Sequence, residues 1–301
     1  MNLDKIVLSG LLSMAAVAFP AQGTPLLQAD PPKSCKACDE WNGKQQPFQV
    51  FGNTYYVGVA GLSSVLIASD TGHVLLDGGL PQSASPIAEN IRALGFRIED
   101  IRLIVNSHAH FDHAGGIAAL QRASGAVVAA SASGARALEQ GAPTPDDPQQ
   151  GFGRESTGFP PVNAVRVVSD GETLRVEDLA ITAHLTPGHT PGSTTWTWRS
   201  CEETRCLDIV YADSLNPVSA PGFEYTRSPG VVDAFRRSIA TVESLPCDVL
   251  LTVHPELSDL SGKLQRRTAA ANENPFIHSQ ACRVYAAAAA RSLDRRLEEE
   301  Q

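Results

Sequence analysis

The sequence predicts an α+β sandwich, two mixed β-sheets face to face with helices on the outer faces. Strand-and-helix series occur twice along the chain, in halves of comparable length and with no short-period repeat. A Pro/Gly/Asp-rich stretch, Gly141 to Val162, separates them and is long enough to suggest a functional loop. With 301 residues, 43% hydrophobic and 19% charged, the chain can bury a large core in one compact domain.

The N-terminus opens with an apolar run, Ile6 to Ala18, broken only by Ser9, Gly10 and Ser13. At about 13–16 residues it is too short to span a bilayer but suits a signal-peptide core. Ala16-Val17-Ala18 and Ala21-Gln22-Gly23 are candidate cleavage sites. The expectation is a signal peptide over 1–23, a Pro-rich leader over 24–46 and a single domain over 47–301. The mature protein would be soluble and periplasmic, with no membrane contact after cleavage. A net charge of −9 argues against nucleic acid as a partner, because phosphate binding needs a basic face.

From Phe48 the pattern is dense in β-formers. Asn53–Val59, Ser63–Ala68 and His73–Asp77 read as strands around Gly-containing turns. Ser85 to Leu94 has helical spacing, with Ile87, Ile91 and Leu94 on one side. Ile101–Val105 is a buried strand, followed by a helix through Ile117, Leu120 and Ala123 and a strand at Ala126–Ala130. The second series has strands near Val165–Val168, Leu179–His184, Thr194–Trp198 and Asp208–Tyr211. A helix over Val231–Leu245, a strand over Asp248–Val253 and an Ala-rich helix from about Ser279 complete it. Glu298-Glu299-Glu300 reads as a solvated tail.

Six cysteines in an exported chain suggest disulfides, with many possible connectivities. The short spacing suits a Cys201–Cys206 loop staple, leaving Cys247–Cys282 as a long-range tie. Cys35 and Cys38 could form a tight bridge, a redox pair or half a zinc ribbon.

The sharpest chemical signal follows the strand 101–105: His108-Ala109-His110-Phe111-Asp112-His113. Three imidazoles and a carboxylate in six residues suit zinc. His189, between Gly188 and Thr190-Pro191, and His254, before Pro255, lie in strand-end loops where sites are usually built. One tetrahedral ion with an open position cannot take all six groups, so the count favours two metals. His73, His184 and His278 read as structural or surface residues.

This arrangement, His108-x-His110-x-Asp112-His113 followed by Gly188-His189 and His254, resembles the metallo-β-lactamase superfamily, whose fold is an αβ/βα sandwich. Thr186 to Trp198, Tyr211-Ala212-Asp213-Ser214-Leu215 and Leu245 to Leu251 are similar to class B, subclass 3. The resemblance implies two Zn2+ per chain, one held by His108, His110 and His189, the other by Asp112, His113 and His254. It implies opening of the β-lactam ring of penicillins, cephalosporins and carbapenems by a zinc-bound hydroxide, without an acyl-enzyme and with Asp112 in the catalytic centre. It places Ser214 and Asn216 where the substrate carboxylate binds, and Asp77 as a buttress of the metal loop. It leaves Asp213 outside the ligand set, matches Cys247–Cys282 to the subclass's usual disulfide, and relates Cys201–Cys206 to an extra disulfide of some members. The expected protein is a monomeric hydrolase conferring antibiotic resistance. The alternatives are a dinuclear zinc hydrolase of the same fold acting on lactones or thioesters, and a non-catalytic zinc-stabilised exported protein.

Overall fold

Alternation of side chains along the strands decides how the layers assemble. In the computed structural model, which describes residues 27–269 and 273–301, the first sheet has seven strands in chain order. They are β1 (Phe48–Phe51), β2 (Thr54–Tyr56), β3 (Val65–Ile67), β4 (His73–Leu76), β5 (Ile101–Val105), β6 (Val127–Ser131) and β7 (Val165–Val168). Pairing is antiparallel from β1 to β4 and parallel from β4 to β7. The second sheet has five strands, β8 (Thr173–Val176), β9 (Leu179–Leu185), β10 (Thr194–Glu202), β11 (Arg205–Ala212) and β12 (Val249–Thr252). Only β12 runs parallel to its neighbour, β11. The helices are α1 (Cys38–Trp41), α2 (Ala84–Ala93), α3 (Phe111–Ala114), α4 (Ile117–Ser124), α5 (Ala132–Gln140), α6 (Arg154–Thr157), α7 (Pro229–Ser244), α8 (Leu260–Ala269) and α9 (Ala281–Glu299).

Val65, Ile67, Val74 and Leu76 turn inward and meet Ile181, Trp196, Ile209, Tyr211 and Leu251 of the second sheet. Their strand neighbours Leu66 and Leu75 turn outward beneath Ile87, Ile91, Ile117, Leu120 and Leu138 of α2, α4 and α5. On the far side Val210, Ala212 and Leu250 are covered by Phe235, Ile239 and Val242 of α7 and by Tyr285, Ala289 and Leu293 of α9. Two buried faces per sheet give the expected helix–sheet–sheet–helix sandwich.

Several elements escape the sequence reading, among them α5, β8 and the ten-residue α8. In α5, Ala132 to Gln140, Leu138 is the one large apolar residue, so its period is faint, yet the Ser131 hydroxyl caps it by accepting from Gly134 N–H. β8 alternates over four residues only. The loop Gly141–Val162 holds α6 and a short 3-10 turn, Gln150–Phe152. The acidic tail is not simply solvated: Glu298 and Glu299 close α9, and the Glu300 carboxylate accepts from Arg296 at 2.7 Å and Thr226 N–H at 2.9 Å.

Disulfides join Cys35–Cys38, Cys201–Cys206 and Cys247–Cys282. The first settles the leader's open alternatives as a tight bridge. The second closes the β10–β11 hairpin, and the third ties the segment before β12 to α9. The expected signal peptide, 1–23, lies outside the described residues. Among those described, no helix is long and apolar enough to cross a membrane.

Candidate metal centre

The ends of β4, β5, β9, β11 and β12 converge at one rim of the sandwich, and the loops leaving them carry the polar residues. The turn after β5 is fixed from below by Asp77, fully buried at the end of β4. One of its oxygens accepts from Asn106 Nδ2 at 2.9 Å and Ser107 N–H at 2.8 Å. The other accepts from the Ser107 hydroxyl at 2.6 Å and the Tyr211 hydroxyl at 2.8 Å. Burial pushes the Asp77 carboxyl up to about 6, against the opposing pull of His113 and of the Ser107 and Tyr211 bonds. Trp196 Nε1 donates to the Asn106 carbonyl at 3.0 Å and Thr194 N–H to the Ser107 carbonyl at 2.8 Å, so the second sheet holds the same turn. Asp77 is thus the expected buttress.

His108 and His110 follow in extended backbone, and α3 begins directly after His110, which puts Asp112 and His113 one turn further on. Ligand atoms of His108, His110 and His189 lie within 4.8 Å of one another, as do those of His108, Asp112 and His113. His113 Nε2 is 3.2 Å from His254 Nε2, and Asp112 Oδ2 is 3.3 Å from the first and 3.4 Å from the second. All six residues expected from the sequence therefore meet at one place. His73 is buried at the start of β4, His184 Nε2 bonds the Thr197 hydroxyl at 2.9 Å, and His278 is exposed. None of these three reaches the cluster.

The rings are oriented by their other nitrogens. His108 Nδ1 donates to Asp213 Oδ1 at 2.6 Å, and His189 Nδ1 donates to the Asn216 carbonyl at 2.7 Å. His254 Nδ1 faces the Gly61 carbonyl at 3.3 Å, and His110 Nε2 donates to Asp147 Oδ2 at 3.1 Å. Each contact leaves the opposite nitrogen as a lone-pair donor toward the cluster, the arrangement metal-ligating histidines need. His108 Nε2 is buried with no hydrogen-bond partner among the described residues. His113 Nε2 and His254 Nε2, 3.2 Å apart beside the Asp112 carboxylate, share a hydrogen bond and form a second group of donors that a divalent ion could take over. The donor set fits zinc.

In the metal-free protein the charge states across the cluster are mixed. Burial and the neighbouring His113 and His110 hold His108 well below the usual imidazole range; burial, His108 and His110 take His189 down to about 3. Burial lowers His110 too, but the Asp147 carboxylate outweighs it and its pKa rises. In His254 burial is outweighed by Asp112. Burial raises Asp112, yet His113 and His254 hold it well below the carboxylate range. Burial also raises Asp213. An oxygen bonded to His108 Nδ1 sits behind the ring, away from Nε2.

Ser214 is buried and Asn216 exposed on the loop after β11; Asn216 N–H approaches the Ser214 hydroxyl at 3.4 Å. Tyr285 of α9 holds this loop, donating to the Asp213 carbonyl at 2.9 Å and accepting from Leu215 N–H at 3.0 Å. Asp147 and Gln149 were missed by sequence reasoning. Both come from the 141–162 loop, and Gln149 Nε2 lies 3.5 Å from His189 Nε2. Their one sequence signal is the Asp146-Asp147-Pro148 run inside a long loop, which names no partner.

A family model described as the metallo-beta-lactamase superfamily matches residues 57–254. Among solved structures, Rm3 metallo-beta-lactamase is 52% identical with a TM-score of 0.85, covering 89% of this chain and 99% of that one. MEM-A1, a subclass B3 metallo-beta-lactamase from a soil metagenome library, is 50% identical with a TM-score of 0.83, covering 86% and 98%. SMB-1, solved with 2-mercaptoethanesulfonate, is 44% identical with a TM-score of 0.83, covering 87% and 99%. With the histidine cluster on the rim of this sandwich and a model match over more than half its length, the chain belongs to the metallo-β-lactamase superfamily and resembles its subclass B3 enzymes.

Proposed function

We propose that the protein is a zinc-dependent β-lactam hydrolase, exported to the periplasm as a monomer and carrying two Zn2+ per chain. The observation that carries this reading is the ring orientation: four histidines are each held by one nitrogen, with the other turned toward a common centre. His108, His110 and His189 would hold one ion, and Asp112, His113 and His254 the second. When bound, zinc supplies Lewis acidity and lowers the pKa of water toward neutrality, so that hydrolysis needs no serine or cysteine nucleophile.

The chain's own residues do the rest. Asp213 and Asp147 fix His108 and His110, and the Asn216 carbonyl fixes His189, so the ligand geometry is preset. Asp112, ionised at working pH, places negative charge among the imidazoles and would orient a water at the centre. Ser214 and the Asn216 side chain are the candidate partners of the substrate carboxylate. Hydrolysis of penicillins, cephalosporins and carbapenems, and with it antibiotic resistance, is the activity expected. A panel of one β-lactam, one lactone and one thioester tests the substrate class on zinc-loaded protein. Turnover of the β-lactam above the other two supports the reading; turnover confined to lactone or thioester overturns it.

A further inference from the structure

We propose that the leader residues Lys33 to Asn42 form a strap whose Lys33 clamps the 141–162 loop against the metal centre, setting the position of the loop that faces substrate. The proposal rests on the functional reading above for the word substrate, but the clamp itself is a feature of the chain. Lys33 Nζ donates to the Glu155 carbonyl at 2.6 Å and the Gly158 carbonyl at 3.0 Å, gripping both ends of α6. It does so from above the Phe111 ring, 5.3 Å from its centroid, and Phe111 lies between His110 and Asp112. One ammonium therefore joins three things: the leader, the metal-binding turn, and the loop that delivers Asp147 to His110 and Gln149 to His189.

The rest of the strap is anchored so that this grip can hold. The Gln82 side chain pairs with the Lys33 backbone in both directions, accepting from its N–H at 2.9 Å and donating to its carbonyl at 2.8 Å. Cys35 and Cys38, bridged, pack with Trp41, Phe111, Leu62 and Leu80 in a cluster of their own. At the other end Trp41 lies 5.4 Å from the His254 ring, and its carbonyl accepts from Gly61 N–H at 3.0 Å. Gly61 is the residue whose carbonyl faces His254 Nδ1, and a Cβ there would stand 2.6 Å from the Trp41 ring. Asn42 Oδ1 accepts from the Ser83 hydroxyl at 2.7 Å. The strap thus touches both sides of the centre, the loop side through Lys33 and the His254 side through Trp41.

A charged donor on two carbonyls resists local opening of the loop, and losing it should raise the open population by about tenfold. The test uses the mature protein with an arginine-specific protease, following cleavage of the Arg154–Glu155 bond by mass spectrometry. Lys33→Met keeps the aliphatic stem on Phe111 and removes the donor. Gln82→Ala frees the strap while leaving the ammonium intact. Both should speed cleavage at Arg154 by about tenfold, and both should raise KM for a carbapenem severalfold with kcat nearly unchanged. Unchanged cleavage in both variants overturns the strap. Faster cleavage with an unchanged KM overturns its role in positioning the substrate-facing loop. If the wild-type protein turned over no β-lactam, the functional reading would fail while the cleavage rates still decided the clamp.

Discussion

Removing one hydroxyl, in Tyr285→Phe, tests how the C-terminal helix supports the centre. The Tyr285 hydroxyl donates to the Asp213 carbonyl at 2.9 Å and accepts from Leu215 N–H at 3.0 Å, and the side chain is buried. Phenylalanine fills the same space, so no cavity opens beyond the lost oxygen. What remains is a buried carbonyl and a buried N–H without partners. Each costs about 1–3 kcal/mol, so the variant should lose roughly 2–6 kcal/mol. Equilibrium urea unfolding of the metal-free protein reads this directly, as a lower midpoint with an unchanged slope. The loop freed by the change carries Asp213 and Asn216, which orient His108 and His189, so zinc affinity should fall as well. A loss below about 0.5 kcal/mol would mean that the two hydrogen bonds are not what holds this loop, and would refute the reasoning.

Other perturbations separate the supports of the centre. Asp77→Ala removes the acceptor of four hydrogen bonds and places alanine at φ 57°, so it should cost about 4 kcal/mol or more in urea unfolding; wild-type stability would contradict the buttress. Asp213→Ala should weaken zinc binding by about 10–100-fold while both ions can still bind, measured by competition with a chromophoric chelator. Loss of one ion outright would instead make Asp213 a ligand. His110 and His254 hold protons above the usual imidazole range in the metal-free protein, and zinc needs them neutral. Zinc affinity should therefore fall as pH drops from 8 to 6 and binding should release protons, both visible by titration calorimetry in two buffers. An affinity independent of pH would contradict those protonation states.

Much of this centre is legible in the chain because its donors cluster by sequence as well as in space. His108 to His113 occupy one loop, and His189 and His254 stand next to Gly or Pro at strand ends, so spacing and punctuation both mark them. The unbroken apolar runs at Val65–Ile67 and Val74–Leu76 likewise mark strands buried on two faces. Asp147 and Gln149 are different. Their role depends on how a long loop folds over the rim, and that is decided by remote partners such as Lys33, more than a hundred residues away. The hydroxyls of Tyr211 and Tyr285 are invisible for the same reason: each reads as one more core aromatic until the fold brings it to Asp77 or Asp213. The Cys35–Cys38 bridge shows only in the fold, because a Cys-x-x-Cys spacing by itself suits a bridge, a redox pair or half a zinc ribbon, although a Pro-rich leader with no βαβ pattern around it speaks against redox catalysis.

The most direct test of the account is the initial rate of carbapenem hydrolysis by the purified mature protein, first with zinc, then after chelation, then with zinc restored. Turnover that chelation abolishes and added zinc recovers is the predicted result. A protein that carries two zinc ions and leaves the carbapenem intact, or one that hydrolyses it equally well after chelation, would contradict it.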